Sequence, residues 1–331
     1  MNWAGIFKKL GTSLLTVFIA MLFTFFLVRS MPGDPIHTRA EEIVREQNIP
    51  YEMAYNIAKD QYNYDPAVSL PEQFIKYIKG LLKGNLGESI LFRIPVTDII
   101  FNALPWTLFI VSLALLTSFI LGCFLGLFIT WKRQNRWLEG TVTFISVVTQ
   151  SIPDFLVALL FLVIFSVRLQ WFPIHGAYSV ETTPGFNFSF IISALYHAIL
   201  PVAAFTMYTV GTWTLAMKAS ATSVMTEDYM NVARAKGLKQ ERILVRYLGK
   251  NAVMPLVTSL AISFGTMLSG AMFIEAIFSY PGVGYFFGVS IQARDFILMQ
   301  GLLLLTTLAI VLANFFADLF YAWIDPRVKL E

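Results

Sequence analysis

Six apolar stretches, each long enough to cross a bilayer as a helix, leave this chain little choice of fold. A span takes about 20 predominantly apolar residues. The sequence supplies them at roughly Leu10–Val28, Leu104–Thr130, Gly140–Val167, Phe190–Met217, Ala252–Phe278 and Phe296–Ile324. The second and fourth carry no charged side chain, and the third, fifth and sixth carry one acid each: Asp154, Glu275 and Asp318. Period-two alternation is absent over these lengths, which removes a strand reading. Composition agrees. Only 14% of the residues are charged, against about 25% in a soluble domain. The sequence specifies an all-α membrane protein of six transmembrane helices.

Several chemistries are unsupported. A net charge of +3 with dispersed Lys and Arg does not provide a nucleic-acid tract. The single cysteine, Cys123, lies inside an apolar run and excludes an intrachain disulfide or a cysteine-based zinc site. His37, His175 and His197 lie far apart without metal-ligand spacing, so no metal site is expected. The first apolar stretch follows Lys8-Lys9 and imitates a secretory signal. Its core is too long for one, and no small-x-small cleavage site precedes Met31-Pro32, so it reads as an uncleaved span.

Orientation follows from the distribution of basic residues. The short loop after the second span holds Lys132, Arg133 and Arg136. The loop after the fourth holds Lys218, Arg234, Lys236, Lys239, Arg242, Arg246 and Lys250 against three acids. Both are expected in the cytoplasm, as are both termini. Segment 31–103 and the loop 168–189 then lie outside. Segment 31–103 starts with the turn-forming Pro32-Gly33-Asp34-Pro35. It is helix-compatible over Thr38–Lys59 and again over Pro71–Leu82, where Pro71 suits a first turn. It reads as a small folded extracytoplasmic insert. The expected division is therefore 1–30, 31–103 and a core of five helices over 104–331.

The most informative polar segment is the cytoplasmic loop at about 220–251. Glu227 and Asp228 suit a helix start, where acids oppose the positive end of the dipole. Ala233, Ala235 and Gly237 are small enough for close backbone approach, and Gly237 can end the helix in a left-handed conformation. A second helix is expected from about Lys239 to Asn251, with Ile243, Leu244, Tyr247 and Leu248 on one face and Arg242, Arg246 and Lys250 on another. Pro255 suits the first turn of the span that follows. Two uses fit this design: a helix lying on anionic lipid, or a knob docked into a partner protein. The small residues beside the glycine turn favour the knob.

Here the sequence resembles a family. Ala233, Gly237 and Pro255 resemble the cytoplasmic "EAA" signature of ABC importer permeases in its peptide-importer form, although Asn231 and Val232 stand where Glu and Ala would be. Other motifs, in order along the chain, resemble the B-type subunit of oligopeptide and dipeptide importers. They are Met31-Pro32-Gly33-Asp34-Pro35, Leu86-Gly87-Glu88-Ser89, Pro95-Val96 and Leu104-Pro105-Trp106-Thr107-Leu108. Further along come Ser151-Ile152-Pro153-Asp154-Phe155, Phe165-Ser166-Val167-Arg168-Leu169 and Phe278-Ser279-Tyr280-Pro281-Gly282-Val283-Gly284, then Ala293-Arg294-Asp295 and Asp325-Pro326-Arg327-Val328.

The resemblance implies the type I ABC importer permease fold, in a bacterial cytoplasmic membrane. It implies a heterodimer with a related C-type permease, two ATPase subunits and an extracytoplasmic substrate-binding protein. Glu227, Asp228, Ala233, Arg234, Ala235, Lys236, Gly237 and Leu238 would then form the ATPase-coupling loop. Segment 31–103 would help dock the binding protein, with Asp65, Glu72, Gln73 and Tyr77 as candidates. The cargo implied is a peptide, with a nickel or metal-chelate complex or another small solute as the alternative. No G-x-x-x-x-G-K-[ST] phosphate loop occurs, so no cofactor is expected in this chain, and ATP and Mg would be bound by the ATPase subunits.

Intramembrane acids are candidates for function. Asp154 follows Pro153 in the third span and either faces the solute path or is satisfied by backbone groups that the proline frees. Glu275 is placed to snorkel or to brace the Pro281-Gly282 turn, and Asp318 to pair with Arg327. Tyr208 and Thr212 of the fourth span, with Thr266 and Ser269 of the fifth, are path candidates, though such residues commonly serve helix packing. His197 reads as a satisfied polar side chain. An ion-coupled secondary transporter is a rival reading, but no internal repeat is visible to support it. A membrane enzyme lacks a catalytic arrangement.

Overall fold

The computed structural model describes residues 3–29, 35–62, 68–132 and 134–324, with side chains except at 3–6, 27–29, 35, 38, 61–62, 266, 268–270 and 316–324. Asp65, Arg327 and most of the 31–35 motif lie outside the described residues. The helices are α1 (Trp3–Arg29), α2 (Pro35–Gln47), α3 (Tyr51–Tyr62), α4 (Leu70–Leu82), α5 (Val96–Trp131), α6 (Arg136–Ser151), α7 (Asp154–Phe161) and α8 (Phe188–Met225). They continue with α9 (Asp228–Ala235), α10 (Gln240–Arg242), α11 (Lys250–Ile277), α12 (Val283–Gln292) and α13 (Phe296–Ile324). Among the described residues the only β pairing is an isolated bridge between Glu88 and Pro95.

Four of these helices, α1, α5, α8 and α13, are long and apolar enough to cross a membrane unaided. The bent pair α6–α7 makes a fifth if its halves form one span, and the 28-residue α11 covers the remaining apolar stretch of the sequence. The third span departs from the continuous stretch expected over Gly140–Val167. Its two halves meet at 96°. Ile152 is extended (φ −88°, ψ 123°), as a residue before proline prefers, and Asp154 restarts the helix after Pro153.

α5 and α8 form the central pair. Within α5, Gly122 and Gly126 lie four apart and let α8 come close. A Cβ on Gly122 would overlap the Cβ of Trp213, and one on Gly126 would overlap the carbonyl of Thr214. Gly211 of α8 admits the backbone of Ser146 in α6 by the same means. In lipid there is little hydrophobic drive between helices, so such close packing is what holds them together. Asn135 and Asn187 start α6 and α8 by accepting N–H bonds from Leu138 (3.2 Å) and Phe190 (2.8 Å).

The main core joins α5, α7, α8, α9 and α11 through residues such as Ile110, Phe205, Met217, Met230 and Ile274, all with at most 1% exposure. A second cluster packs Val96, Ile99, Ile100 and Ala103 of α5 against Val283, Leu298 and Leu302. α5 thus starts at Val96, and the last eight positions of segment 31–103 belong to its first turns. α2 and α3 form a hairpin with its own small core of Ile36, Ala40, Ile43, Ala54 and Ala58.

Candidate functional site

The spans alternate in direction, so their connections fall into two sets at opposite ends. One end gathers the basic connections around 131–136 and 226–250. There α9 begins after Glu227 and ends in a Schellman turn. The N–H of Leu238 bonds the carbonyl of Ala233 (3.4 Å), the N–H of Gly237 bonds that of Arg234 (3.0 Å), and Gly237 has φ +64°. Nothing lies within 4 Å of where a Gly237 Cβ would stand.

Burial divides the eight expected coupling residues. Ala233 turns inward and is 2% exposed, joining Met230, Ile243 and Leu248 in the main core. Leu238 is half-buried against that core. Glu227, Asp228, Arg234, Ala235, Lys236 and Gly237 are exposed. Ala233 therefore fixes α9 to its own chain, and the outward face is presented by the others. Tyr229 and Val232 stand exposed beside them, so that face combines charge with apolar side chains.

The helix expected from Lys239 to Asn251 is not separate from the span. α10 passes through a π-helical turn (Ile243–Gly249) straight into α11, and Pro255 lies inside that helix instead of in its first turn. Gly249 keeps ordinary helical angles (φ −61°, ψ −47°), so nothing stops the helix there. The expected faces do form: Ile243 and Leu248 are buried, while Arg242, Arg246 and Lys250 are exposed. The consequence is mechanical. α9 rests on a helix continuous with a membrane span, and the Ser220 hydroxyl ties α8 to it by donating to the Ala252 carbonyl (2.7 Å). Lys218 adds an ion pair to Glu139 (2.8 Å) and a bond to Thr143 (3.0 Å), linking α8 to α6.

The opposite end is closed by polar junctions between distant parts of the sequence. Asp295, 1% exposed, accepts from the Ser89 hydroxyl (2.6 Å), the Leu91 N–H (3.1 Å) and, at the start of α13, the Leu298 N–H (3.0 Å). Two sequence motifs 206 positions apart are thereby joined. In a second junction Glu275, fully buried, accepts the Gly284 N–H (2.7 Å) at the start of α12, while Thr107 of α5 accepts the N–H of Val283 (2.9 Å). Gly282 and Gly284 are required here. A Cβ on the first would overlap the Glu275 carboxylate, and one on the second would overlap the Met272 Cα. Glu275 is a brace, as its position beside the Pro281-Gly282 turn implied, and it does not snorkel. Trp106, Tyr178, Phe190 and Tyr280 cluster at this junction with ring centroids 5.1–6.1 Å apart, Trp106 stacked on Tyr178 and the other pairs edge to face.

The path candidates are not brought together by bonding. Asp154 is half-buried at the start of α7, where Oδ1 accepts the Phe155 N–H (2.8 Å). Tyr208 is half-buried, and Thr212, one turn on, is exposed. No hydrogen bond or ion pair among the described residues joins Asp154 to either. The side chains of Thr266, Ser269 and Asp318 lie outside the described residues. His197 is satisfied by the Ser193 carbonyl (2.8 Å). Of the docking candidates, Glu72 is exposed, but Gln73 is 8% exposed and donates to the Val68 carbonyl (2.9 Å). Tyr77 is half-buried against Phe25 (5.8 Å between ring centroids). Gln73 and Tyr77, one turn apart, lie on the arc of α4 that packs against the protein, while Glu72, Ile75, Lys76 and Lys79 are exposed. The sequence reading passed over Gly122 and Gly126, whose small-xxx-small spacing was the available signal.

Long apolar helices locked by glycine contacts, closed by buried polar junctions at one end and carrying an exposed basic loop at the other, define a multi-pass helical membrane protein. Residues 118–330 match the family described as binding-protein-dependent transport system inner membrane component, and the chain belongs to that family. It is 31% identical to the di/tripeptide transport system permease protein DppB of Pseudomonas aeruginosa, over 97% of each chain. It is 30% identical to the glutathione transport system permease protein GsiC of Escherichia coli K12, over 98% of this chain and 99% of that one. The oligopeptide transport system permease protein AppB of Bacillus subtilis is 28% identical over 93% of each. A solved structure described as an amino acid ABC transporter with histidines shares the fold, with a TM-score of 0.50 and 14% identity, covering 68% of this chain and 93% of that one.

Proposed function

We propose that this chain is the permease subunit of an ATP-driven importer that carries short peptides across the cytoplasmic membrane. The observation that carries the reading is its similarity, along almost the whole length, to chains named for di/tripeptide, glutathione and oligopeptide transport. The basic end, with both termini, lies in the cytoplasm, in keeping with its lysines and arginines. The end closed by Asp295 and Glu275 faces outward, and segment 31–103 there helps receive a substrate-binding protein. A related permease subunit completes the pathway, and two ATPase subunits bind ATP and Mg.

The exposed face of α9 is the coupling surface. When the ATPases close, they move α9, and the push passes through Met230 and Ala233 into the helix leading to α11 and through Ser220 into α8. The spans rock, and the cavity opens outward to take the peptide from the binding protein. Hydrolysis returns it to the cytoplasmic side. Asp154, Tyr208, Thr212, Thr266 and Ser269 are candidates for lining the way, through contacts weak enough to release the cargo.

The test is Gly237→Trp, with Gly237→Asn as a control because asparagine tolerates the left-handed conformation. The expected result in the assembled transporter is loss of labelled-tripeptide uptake and of stimulated ATPase activity with Trp, and retention of both with Asn. Uptake and stimulated hydrolysis intact with Trp would overturn the coupling role.

A further inference from the structure

A polar cleft at the outward end of the bundle belongs to none of the functions above. It lies between α4 and the start of α13 and has a volume of about 90 Å³. Lys76, Tyr77, Asn85 and Gln300 line it, with Gly87 and Gly301 among its walls. The glycines keep the walls close. A Cβ on Gly87 would stand 2.7 Å from Ile297 and one on Gly301 2.6 Å from Val96.

The chemistry of the lining points to an anion. Lys76 is exposed and brings an ammonium group to the rim. Gln300 is 8% exposed, and its Nε2 is buried without a hydrogen-bond partner among the described residues. A buried donor left unpaired is costly, so this amide marks a place where an acceptor belongs. Tyr77 adds a hydroxyl, and among the described residues no Asp or Glu lines the cleft. The small cleft has room for one tetrahedral oxyanion.

The surroundings say where that anion comes from. α4 lies along the second half of α1, with Phe74 against Phe18 and Phe25 (6.2 and 5.0 Å between ring centroids). Phe18 lies within the apolar run of α1, about 16 Å of helix before its end at Arg29 at 1.5 Å per residue. α4 is therefore at lipid depth. It leaves Leu70, Ile75 and Leu82 exposed at 47%, 52% and 83%, next to the exposed Lys76, Lys79 and Lys83. Apolar side chains flanked by lysines are the pattern of a helix seated in the headgroup boundary. We propose that the cleft between α4 and α13 is a phosphate site filled by the headgroup of a membrane phospholipid, with Lys76 and Gln300 as its donors.

Native mass spectrometry of the delipidated transporter complex tests this, using phosphatidylglycerol and, as a probe with the same chains and no phosphate, diacylglycerol. The expected result is one tightly held phosphatidylglycerol, no comparable diacylglycerol, and affinity about tenfold weaker in Lys76→Gln and in Gln300→Glu, each of which removes one charge-assisted or neutral donor. Lys76 is exposed, so its variant keeps the test valid should Gln300→Glu fold poorly. Equal binding of diacylglycerol, or unchanged phosphatidylglycerol binding in the Lys76 variant, would overturn the proposal. Displacement of the lipid by millimolar inorganic phosphate would overturn the lipid source and leave free phosphate as the occupant. These outcomes do not depend on uptake, so the site can fail while the importer reading stands.

Discussion

The two ends of this bundle are built on opposite principles. At one, carboxylates that are almost wholly buried, Asp295 and Glu275, are held by N–H and hydroxyl groups from other segments, and glycines are required because atoms press against them. At the other, α9 keeps only its inner face for itself and leaves Asp228, Arg234, Ala235 and Lys236 in the open. Even the glycines differ. Gly284 has no room for a side chain, whereas Gly237 has ample room and is set apart by its positive φ. The first end buries its carboxylates in its own fold, and α9 leaves its charged side chains exposed.

Substitutions can break this contrast, and the largest effect is expected at Gly284. Gly284→Val drives a side chain into the Met272 backbone, and no monodisperse protein should be recovered from detergent extracts. Asp295→Ala removes an acceptor from three bonds and leaves buried donors unpaired, so it should destabilise by about 3 kcal/mol, read from unfolding in mixed micelles. Ser89→Ala, which removes one of the three, should cost about 1 kcal/mol by the same assay. Lys218→Met breaks a partly buried ion pair to Glu139 and should cost no more than about 1 kcal/mol. Lys236→Ala should sit at the bottom of the series, within about 0.5 kcal/mol of the parent, while lowering stimulated ATPase activity.

The sequence made some of this architecture legible and hid the rest, for physical reasons. Spans are visible because lipid demands long unbroken apolar runs, and α5, α8 and α13 emerge where those runs are. The break at Pro153 is visible as a proline, but its 96° angle is set by how α6 and α7 pack and cannot be read locally. The pairing of Ser89 with Asp295 spans 206 positions and has no periodicity, so each motif could be noticed and the bond between them could not. Ala233 and Ala235 look alike as small residues in a row. Only their helical phase against Ile243 and Leu248 sends one inward and the other outward. Gln73 is a like case: a polar residue on an amphipathic helix, it is buried by the phase of α4 while its neighbour Glu72 is exposed.

That difference between neighbouring alanines gives the most direct test of the central claim. Single cysteines at positions 233, 235 and 236, placed in a chain with Cys123→Ser, can be coupled to a short photoreactive crosslinker in membranes holding the whole transporter. The account requires strong crosslinks to the ATPase subunit from Ala235→Cys and Lys236→Cys and almost none from Ala233→Cys. Crosslinking that is absent at 235 and 236, or equally strong at 233, would contradict it.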